Sequence, residues 1–242
     1  MHVSQILISD DTTATLSPFL TLATNSVRGA FPGATYRLYS GEMLRDFISA
    51  NFDREVVSIF DRLLPYSYKA DLGRYCLLYN LGGWYFDISI RVTLRMNDLG
   101  AIETVVFRDK QRFGHSTFAC STSIIYSRSG NPVFEEAIRL VVHHCNTGYF
   151  GATPLCPTGP NVFGRALAKF GASRNMLIGD LMDLTPQHPT PNTAFVLPDG
   201  QIFAYRKPNR PGDLTELGAV KTNNYLELYK ARKIYAGAEP AL

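Results

Sequence analysis

The sequence predicts a single α/β domain in which a sheet is flanked by helices. The chain has 242 residues, 45% of them hydrophobic, which is enough for a sizeable core without disulfides or metals. Its first elements alternate between strand and helix patterns, and further along a glycine pair separates a long helix from an aromatic strand. This alternation favours a largely parallel sheet with helices on its faces.

The N-terminal third supplies the alternation. Residues 3–9 have the apolar character of a buried strand, and residues 16–27 have helical spacing. A second strand is predicted at residues 34–39, followed by helices at residues 41–51 and 55–63. Open α/β sheets bind ligands beyond the carboxyl ends of their strands, so we expect the functional site at that edge.

The middle of the chain predicts a helix that carries two charged residues. Apolar side chains recur at helical spacing through residues 68–79, which indicates one buried stripe. Asp71 and Arg74 are three positions apart, so they share another face of this helix. Gly82 and Gly83 end the helix, because glycine adopts the left-handed cap conformation without a Cβ penalty.

An aromatic strand at residues 84–86 follows and places Asp87 near its carboxyl end. If the strand remains extended, Asp87 and Ser89 point to the same side. Two oxygen ligands at this spacing can share one divalent cation, Mg²⁺ or Mn²⁺, which would bridge them to a diphosphate. The alternative interpretation is that Asp87 only accepts a hydrogen bond from a backbone amide at the end of a strand.

Composition and charge disfavour several classes of protein. The formal net charge is +3 and the sequence has no run of basic residues, so we expect no nucleic-acid partner. No apolar stretch approaches the roughly 18 residues of a membrane span, and the first residues do not resemble a signal peptide. The four cysteines lie far apart without a C-x-x-C pair, which predicts reduced thiols and a cytoplasmic protein.

The segments Y-K-A-D-L-G-R-Y (68–75), L-Y (78–79) and G-G-W-Y-F-D (82–87) together resemble the signature of the family 32 glycosyltransferases. That family includes initiating mannosyltransferases and transferases of capsular polysaccharide and lipopolysaccharide biosynthesis. The resemblance implies the GT-A fold, a Rossmann-like mixed sheet flanked by helices, as one domain over residues 1–242. We expect the donor-site core in about residues 1–95 and the acceptor and closing elements in about residues 96–242.

The resemblance also implies roles for individual residues. Asp71 and Arg74 match positions that bind hydroxyl groups of the donor sugar, and Asp87 matches the first aspartate of the D-x-D motif. Ser89 stands in place of the second aspartate, and the loss of one charge predicts weaker metal affinity. The expected catalytic residues are Asp87 and Asp71. The expected donor-binding residues are Ile8, Ser9, Asp71, Arg74, Trp84, Asp87, Ser89, Lys221 and Asn224.

The second half of the chain contributes the remaining expected site residues. The T-G-P segment Thr158, Gly159 and Pro160 resembles a segment of the same family and is assigned to the acceptor side. A divalent cation, Mn²⁺ or Mg²⁺, is the expected cofactor. Its expected ligands are Asp87, Ser89 and Asn224.

The C-terminal region predicts a hairpin at residues 194–205 and a final helix at residues 225–235. Asn223 or Asn224 is expected to cap that helix. In related GT-A enzymes a loop at this place closes over the donor, which implies a second role for Lys221 and Asn224 on the diphosphate or the metal. Both roles are compatible, because a helix N-terminus favours anions.

Two further features are interpreted as structural. His143 and His144 are adjacent on a predicted helix and lack partners at metal-ligand spacing, so we expect a surface or packing role. Lys230, Arg232 and Lys233 are expected on a solvated helix face. A secondary interpretation is electrostatic contact with an anionic membrane, which would place the protein peripherally at the inner face of the cell membrane.

The resemblance implies a retaining transferase that moves a sugar from a nucleotide-diphosphate sugar to a hydroxyl group of a glycan or lipid-linked saccharide. A UDP-sugar is the preferred donor and GDP-mannose the next. An alternative is a catalytically weakened sugar-nucleotide-binding protein, because Ser89 departs from the motif. A nicotinamide-dependent oxidoreductase is disfavoured, since Ser9-Asp10-Asp11 stands where a G-x-G-x-x-G turn would follow the first strand.

Overall fold

A computed structural model describes residues 1–11, 13, 15–96, 99–110, 118–170, 175–188, 192–206 and 213–237. The strands are β1 (His2–Ile6), β2 (Thr35–Tyr39), β3 (Gly83–Phe86), β4 (Ile90–Val92), β5 (Thr104–Arg108), β6 (Cys120–Ser127), β7 (Met176–Asp183), β8 (Thr193–Val196) and β9 (Ile202–Arg206). The helices are α1 (Pro18–Ala30), α2 (Gly41–Asn51), α3 (Arg54–Arg62), α4 (Tyr66–Asn80), α5 (Pro132–Asn146), α6 (Pro160–Phe170) and α7 (Tyr225–Lys230).

The strands form one mixed sheet in the order β2-β1-β3-β6-β5-β7-β8-β9-β4. Strand β1 is parallel to β2 and β3, and β5 is parallel to β7. The other neighbours are antiparallel. The prediction of a largely parallel sheet is therefore wrong for the second half of the chain. Short connections join β7, β8 and β9 there, and such connections permit only antiparallel pairing.

The sheet curls strongly. Strands β3 and β4 are six positions apart in the sheet order, which is roughly 29 Å in a flat sheet. Only residues 87–89 connect them, and a chain of that length spans at most about 14 Å. The inside of the curl is filled by a buried cluster that includes Trp84, Phe86, Phe107, Phe195 and Phe203.

Five helices cover the other face of the sheet. Helices α2 to α6 each contribute to one large buried cluster, through Leu44, Phe60, Leu72, Phe134 and Phe163 respectively. Helix α1 instead packs on the inside of the curl through its buried Val27. Among the described residues, no helix is both long and apolar enough to cross a membrane.

The end of α4 follows the sequence prediction. Gly82 and Gly83 adopt positive φ angles of 62° and 89° directly after the helix. A Cβ atom on Gly83 would lie 2.1 Å from the carbonyl oxygen of His2, so glycine is also required by the close approach of β1. This packing sets β3 beside β1 and fixes where β3 ends.

Helix α7 is shorter than the predicted helix at residues 225–235, so that prediction is wrong in its C-terminal half. The helix ends at Lys230, and Arg232 adopts a positive φ of 59°. Beyond this turn Ile234 and Tyr235 are buried in the main core. Burial of these two side chains explains why the chain leaves the helix.

Candidate active site

Several polar side chains meet at one edge of the sheet. Strands β3 and β5 are both antiparallel to β6, so their carboxyl ends lie at the same edge, where Asp87 and Asp109 follow them. Strand β7 is parallel to β5, β8 is antiparallel to β7, and β9 is antiparallel to β8, so β9 runs in the same direction as β5. Arg206 is the last residue of β9. Ser9 follows β1 at this edge. The edge is the place where open α/β sheets bind ligands.

Arg74 of α4 joins two carboxylates. Its guanidinium donates to Asp87 Oδ1 over 3.1 Å and lies 3.3 Å from Asp71 Oδ1. It also donates to the carbonyl oxygen of Thr122 and stacks on the Tyr85 ring, 4.5 Å from the centroid. Only 5% of the Arg74 side chain is exposed. We call these five residues the Arg74 network.

Asp71 is enclosed within this network. Its Oδ2 accepts a hydrogen bond from the Thr158 hydroxyl over 2.7 Å, and its Oδ1 accepts from the Thr122 hydroxyl over 3.4 Å. Burial raises the pKa of Asp71, although Arg74 and Thr158 oppose the rise. Because both oxygens are engaged and the side chain is 10% exposed, the geometry favours a positioning role for Asp71 over nucleophilic attack.

The T-G-P segment lies against Asp71. A Cβ atom on Gly159 would be 3.3 Å from Asp71 Oδ2, and Pro160 begins α6. The Tyr75 hydroxyl donates to the carbonyl oxygen of Thr158 over 2.8 Å, which fixes the segment to α4. The structure thus places Thr158 in direct contact with a residue expected to bind the donor.

Asp87 presents one free oxygen. Its Oδ1 accepts from Arg74 and, over 2.9 Å, from the Tyr85 hydroxyl. Its backbone N–H donates to the carbonyl oxygen of Ser123 over 2.8 Å, and its carbonyl oxygen accepts from the Gln5 amide over 3.1 Å. Within the described ranges Oδ2 accepts no hydrogen bond, and 28% of the side chain is exposed. Asp87 is therefore rigidly held with one oxygen available to a ligand.

The strand does not remain extended to Ser89, so that premise of the sequence prediction is wrong. The backbone N–H of Ile90 donates to the carbonyl oxygen of Asp87 over 3.1 Å, which closes a turn. Ser89 lies in this turn and is only 6% exposed. The turn is required because the sheet curls between β3 and β4.

The residues expected to hold a divalent cation do not form a complete site. Asn224 Oδ1 accepts a hydrogen bond from the backbone N–H of Leu226 over 2.9 Å and caps α7. Ser89 is buried in its turn. In the part of the chain that the structure describes, no group of three His, Cys, Asp or Glu side chains is placed to hold a metal ion. Mg²⁺ is usually bound through one or two carboxylates together with substrate phosphates and water, so the free oxygen of Asp87 is one ligand of the kind that such a site uses.

The C-terminal segment reaches the loop after β1. Lys221, with a positive φ of 50°, accepts a hydrogen bond at its carbonyl oxygen from the Asp10 N–H over 3.0 Å. The Ser9 hydroxyl donates to the carbonyl oxygen of Val220 over 2.6 Å. Lys221 Nζ lies 3.6 Å from Asp11 Oδ2, with 65% of its side chain exposed. Two expected donor-binding residues, Ser9 and Lys221, are thus brought together.

Asn223 and Asn224 cap two different helices. Asn224 caps α7, as expected, whereas Asn223 Oδ1 accepts from the backbone N–H of Tyr66 over 2.8 Å at the start of α4. The Asn223 amide also donates to the carbonyl oxygen of Leu64 over 3.0 Å. Since the residue before α4 is Pro65, which has no polar side chain to cap it, the C-terminal segment supplies the missing cap.

Trp84 corrects the sequence prediction. Its side chain is fully buried inside the curl, with ring centroids 5.5 Å from Phe31 and 5.2 Å from Tyr126. Successive side chains of a strand point to opposite faces, so Tyr85 and Asp87 face the Arg74 network and Trp84 faces away from it. Tyr85, rather than Trp84, is the aromatic residue of β3 at this site.

The side chain of Ile8 lies in the core, so its backbone alone stays a candidate for donor binding. Its side chain belongs to the main buried cluster and packs against α2, so closely that a Cβ atom on Gly41 would lie 3.1 Å from it. A side chain filling the core in this way does not present a surface to the donor. Of the first-strand pair, only Ser9 carries a polar group to the edge.

Three residues at the edge were not singled out from the sequence. Burial raises the pKa of Asp109, and Arg206 lowers it. Burial also raises the pKa of Tyr225, at the start of α7, where Arg206 opposes and Asp71 and Asp109 add to the rise. Tyr225 therefore interacts electrostatically with Asp71 of α4, with Asp109 after β5 and with Arg206 of β9. A usable signal was that Asp109 and Arg206 each stand at the end of an apolar strand pattern.

Residues interpreted as structural have that role. His144 is buried, its Nδ1 lies 2.9 Å from the carbonyl oxygen of Pro157, and burial lowers its pKa. The four cysteines are buried and unpaired with one another. Lys230, Arg232 and Lys233 are exposed, and Arg232 stacks on Phe150 at 4.0 Å.

Comparison with known proteins gives three findings. Residues 20–106 match the family described as "Glycosyltransferase sugar-binding region containing DXD motif". The uncharacterized glycosyltransferase L373 of Acanthamoeba polyphaga mimivirus is 25% identical over 103 residues, which are 43% of this chain and 40% of that protein. The chain thus spans 40% of the length of this curated relative. The solved PaToxG glycosyltransferase is similar with a TM-score of 0.55 and 16% identity, over 70% of this chain and 69% of that chain.

The structural likeness confirms the predicted GT-A type α/β fold with a mixed sheet flanked by helices. The family match runs from α1 into β5 and contains Asp71, Arg74, Asp87 and Ser89. The matched segment therefore contains Asp71, Arg74, Tyr85 and Asp87 of the Arg74 network, whereas Thr122 lies outside it.

Proposed function

We propose that this chain is a glycosyltransferase that moves a sugar from a nucleotide-diphosphate sugar to a hydroxyl group of a saccharide acceptor. One observation carries the proposal. Within a segment that matches a glycosyltransferase sugar-binding region, Arg74 holds Asp87 rigidly at the ligand-binding edge with one oxygen free. The resemblance to family 32 favours a UDP-sugar as donor, with GDP-mannose next, and a glycan or lipid-linked saccharide as acceptor.

Each residue of the network has a separate task in this proposal. Asp71, held by Thr158 and Thr122, fixes the orientation of Arg74. Arg74 and Tyr85 fix the Asp87 carboxylate, whose free Oδ2 accepts a hydrogen bond from a hydroxyl group of the donor. Prepositioned groups of this kind lower the barrier because they need no reorganisation when the reaction occurs.

Retention of anomeric configuration, which the family resemblance implies, requires no protein nucleophile. In a front-face mechanism the bond to the diphosphate breaks through an oxocarbenium-like state, and the acceptor oxygen forms the new bond on the same face. The departing diphosphate takes the acceptor proton. The enclosure of Asp71 supports this route, since its two oxygens are engaged within the protein.

A divalent cation, if bound, would supply positive charge at the departing diphosphate. Asp87 Oδ2 is the protein oxygen that would hold it, and the steps above are assigned to the side chains of the chain. The requirement for Mn²⁺ or Mg²⁺ stays a prediction from the family resemblance. The cytoplasmic location and the peripheral membrane contact through Lys230, Arg232 and Lys233 also stay predictions. Cell fractionation tests both.

A second candidate is a sugar-nucleotide-binding protein without transferase activity. The observation that favours it is Ser89, which replaces a carboxylate and is buried in the turn after Asp87. Donor binding without release of the nucleotide diphosphate in the presence of saccharide acceptors would support this candidate over the transferase.

A thermal-shift panel tests the donor site. Wild-type protein is mixed with UDP-, GDP-, dTDP- and CMP-sugars, with and without Mn²⁺. A ligand at a hundred times its Kd stabilises the folded state by about 2.7 kcal/mol, which gives a readable shift. We expect one nucleotide class to raise the Tm, and we expect Asp87→Asn to abolish the shift.

The matched control is Asp46→Asn, because Asp46 is an exposed aspartate on α2 away from the polar edge. It should retain the full shift. If no sugar nucleotide shifts the folded wild-type protein, the proposal is contradicted. An unchanged shift in Asp87→Asn would contradict the assignment of the site.

A further inference from the structure

The Arg74 network offers no excess positive charge to a diphosphate. Arg74 is the buried cation of this network, and it is paired with both Asp71 and Asp87. One guanidinium shared between two carboxyl groups has no charge left for a ligand. A nucleoside diphosphate is a poor leaving group unless its developing charge is stabilised. Another cation at this edge is therefore needed.

Arg206 lies directly beside the turn that follows Asp87. In the antiparallel pair of β4 and β9, Arg206 is the partner of Ile90, which closes the turn onto Asp87. The Cα atoms of Asp87 and Arg206 therefore lie within about 12 Å, since a sheet pair is separated by about 5.5 Å and a turn spans less than about 7 Å. One nucleotide-diphosphate sugar can span that distance, with a sugar hydroxyl at Asp87 and the diphosphate at Arg206.

The register also sets the face on which Arg206 lies. Paired residues of antiparallel strands share a face, and Ile90 is buried on the inside of the curl. Arg206 shares that face at the last position of β9, whereas the Asp87 side chain lies on the other face with the Arg74 network. The two side chains therefore meet only at the polar edge, beyond the ends of both strands. Arg91 and Tyr205, the next pair, lie on the opposite face.

The surroundings of Arg206 leave its charge available. The positive charge of Arg206 acts to lower the pKa values of Asp109 and Tyr225. Arg206 nevertheless forms no ion pair or side-chain hydrogen bond with another described residue. It is half-buried. Two further cations among the described residues near this edge are Lys221, which is mostly exposed and lies beside Asp11, and Lys110, which forms an ion pair with Asp183.

We infer that Arg206 binds the diphosphate of the donor and stabilises its charge as the sugar departs, in the place where a cation held by two aspartates would otherwise act. The inference rests on the proposed function. It also accounts for Ser89, because an arginine beside the turn removes the need for a second carboxylate to hold a metal.

Isothermal titration with UDP and GDP, and with uridine and guanosine as diphosphate-free probes, tests the inference. The variants are Arg206→Met, which removes the charge, and Arg206→Lys, which keeps it without the planar fork. Arg91→Met is the matched control, since Arg91 is exposed on β4 and lies on the opposite face from Arg206. Each protein is titrated in EDTA and in Mn²⁺.

We expect Arg206→Met to lose about 10- to 100-fold in affinity for the nucleoside diphosphate, as removal of charge-assisted hydrogen bonds predicts. The affinity of Arg206→Met for the nucleoside should equal that of the wild type. The diphosphate affinity of Arg206→Lys should lie between those of Arg206→Met and the wild type. Arg91→Met should bind as the wild type does. The wild-type protein should retain most of its diphosphate affinity in EDTA.

Equal diphosphate affinity of Arg206→Met and Arg91→Met would overturn the inference and leave the proposed function standing. Wild-type binding that disappears in EDTA and returns in Mn²⁺ would also overturn it, because the metal would then carry the charge. A folded wild-type protein that binds no nucleoside diphosphate under either condition would overturn both the inference and the proposed function.

Discussion

The Arg74 network and the C-terminal segment, residues 213–237, border the same edge of the sheet but are held there differently. In the network, Arg74 is 5% exposed and Asp87 is 28% exposed, and ion pairs and hydrogen bonds fix both side chains. The C-terminal segment is anchored by Leu217, Ile234 and Tyr235, which are buried in the core, whereas its Lys221 side chain is 65% exposed. The network thus fixes polar geometry inside the protein, and a few hydrogen bonds hold the exposed part of the segment around Lys221 at the same edge.

The largest effect is expected from breaking the network at its centre. Arg74→Met leaves the enclosed Asp71 and the partly exposed Asp87 without their cation, and the loss of the buried partner of Asp71 should lower the free energy of unfolding by about 3–5 kcal/mol. Urea unfolding at neutral pH measures the loss. Arg45→Met is the control, because the Arg45–Asp61 ion pair is about half exposed and should contribute less than about 1 kcal/mol. Similar losses in the two variants would contradict the description of the network.

Thr158→Val removes a hydrogen bond to the Asp71 carboxylate without changing the size of the side chain much. We expect a loss of about 2 kcal/mol at neutral pH, because a buried charged acceptor loses a donor. Burial raises the pKa of Asp71, so folding favours the protonated form, and its contribution to stability is lost as pH rises through that raised pKa.

The pH dependence of the Thr158→Val effect follows from the opposing contribution of Thr158, whose hydrogen bond lowers the pKa of Asp71. The hydrogen bond favours the carboxylate over the carboxylic acid, so the difference between variant and wild type should be largest at neutral pH and smaller in acid. Urea unfolding across this range measures it. A difference that grows as the pH falls would show that Thr158 does not act on the Asp71 carboxylate.

Asn223→Ala tests the attachment of the C-terminal segment to α4. Loss of a helix cap costs about 1 kcal/mol, and the variant should also bind the donor more weakly, because Asn223 joins the segment to the start of α4. Asn224→Ala provides the comparison, since Asn224 caps only α7. Donor affinity by titration separates the two, and equal donor affinities would contradict a joining role for Asn223.

The smallest effect on stability is expected for Lys221→Met. The Lys221–Asp11 pair is 3.6 Å long with an exposed lysine, so its removal should change the free energy of unfolding by less than about 0.5 kcal/mol. If Lys221 contacts the donor, as the family resemblance implies, affinity should fall with little change in stability. A stability loss as large as that of Asn223→Ala would instead show that Lys221 anchors the segment.

Local patterns predicted the parts of the molecule that depend on local interactions. The helix at residues 41–51 has the predicted bounds, and the C-terminal hairpin forms between β8 and β9. The glycine pair after α4 ends it as expected. Asp71, Arg74 and Asp87 lie close together in the sequence, and they were identified through the resemblance of this segment to a glycosyltransferase signature.

Features that depend on distant pairing were not predictable in this way. The side of β3 that faces the site was ambiguous, because Trp84, Tyr85 and Phe86 are all apolar and give no alternating pattern. The position of Arg206 beside the turn after Asp87 follows only from the register of β4 with β9. Asn223 caps a helix far from it in sequence, and no local signal indicates such a partner.

Release of the nucleotide diphosphate tests the central claim most directly. The preferred sugar nucleotide, identified by the thermal-shift panel, is incubated with saccharide acceptors, and the nucleotide diphosphate is quantified for the wild type, Asp87→Asn and Asp46→Asn. We expect release and sugar transfer by the wild type and Asp46→Asn, with a loss of at least about a hundredfold in Asp87→Asn. Equal release by Asp87→Asn and the wild type would contradict that claim.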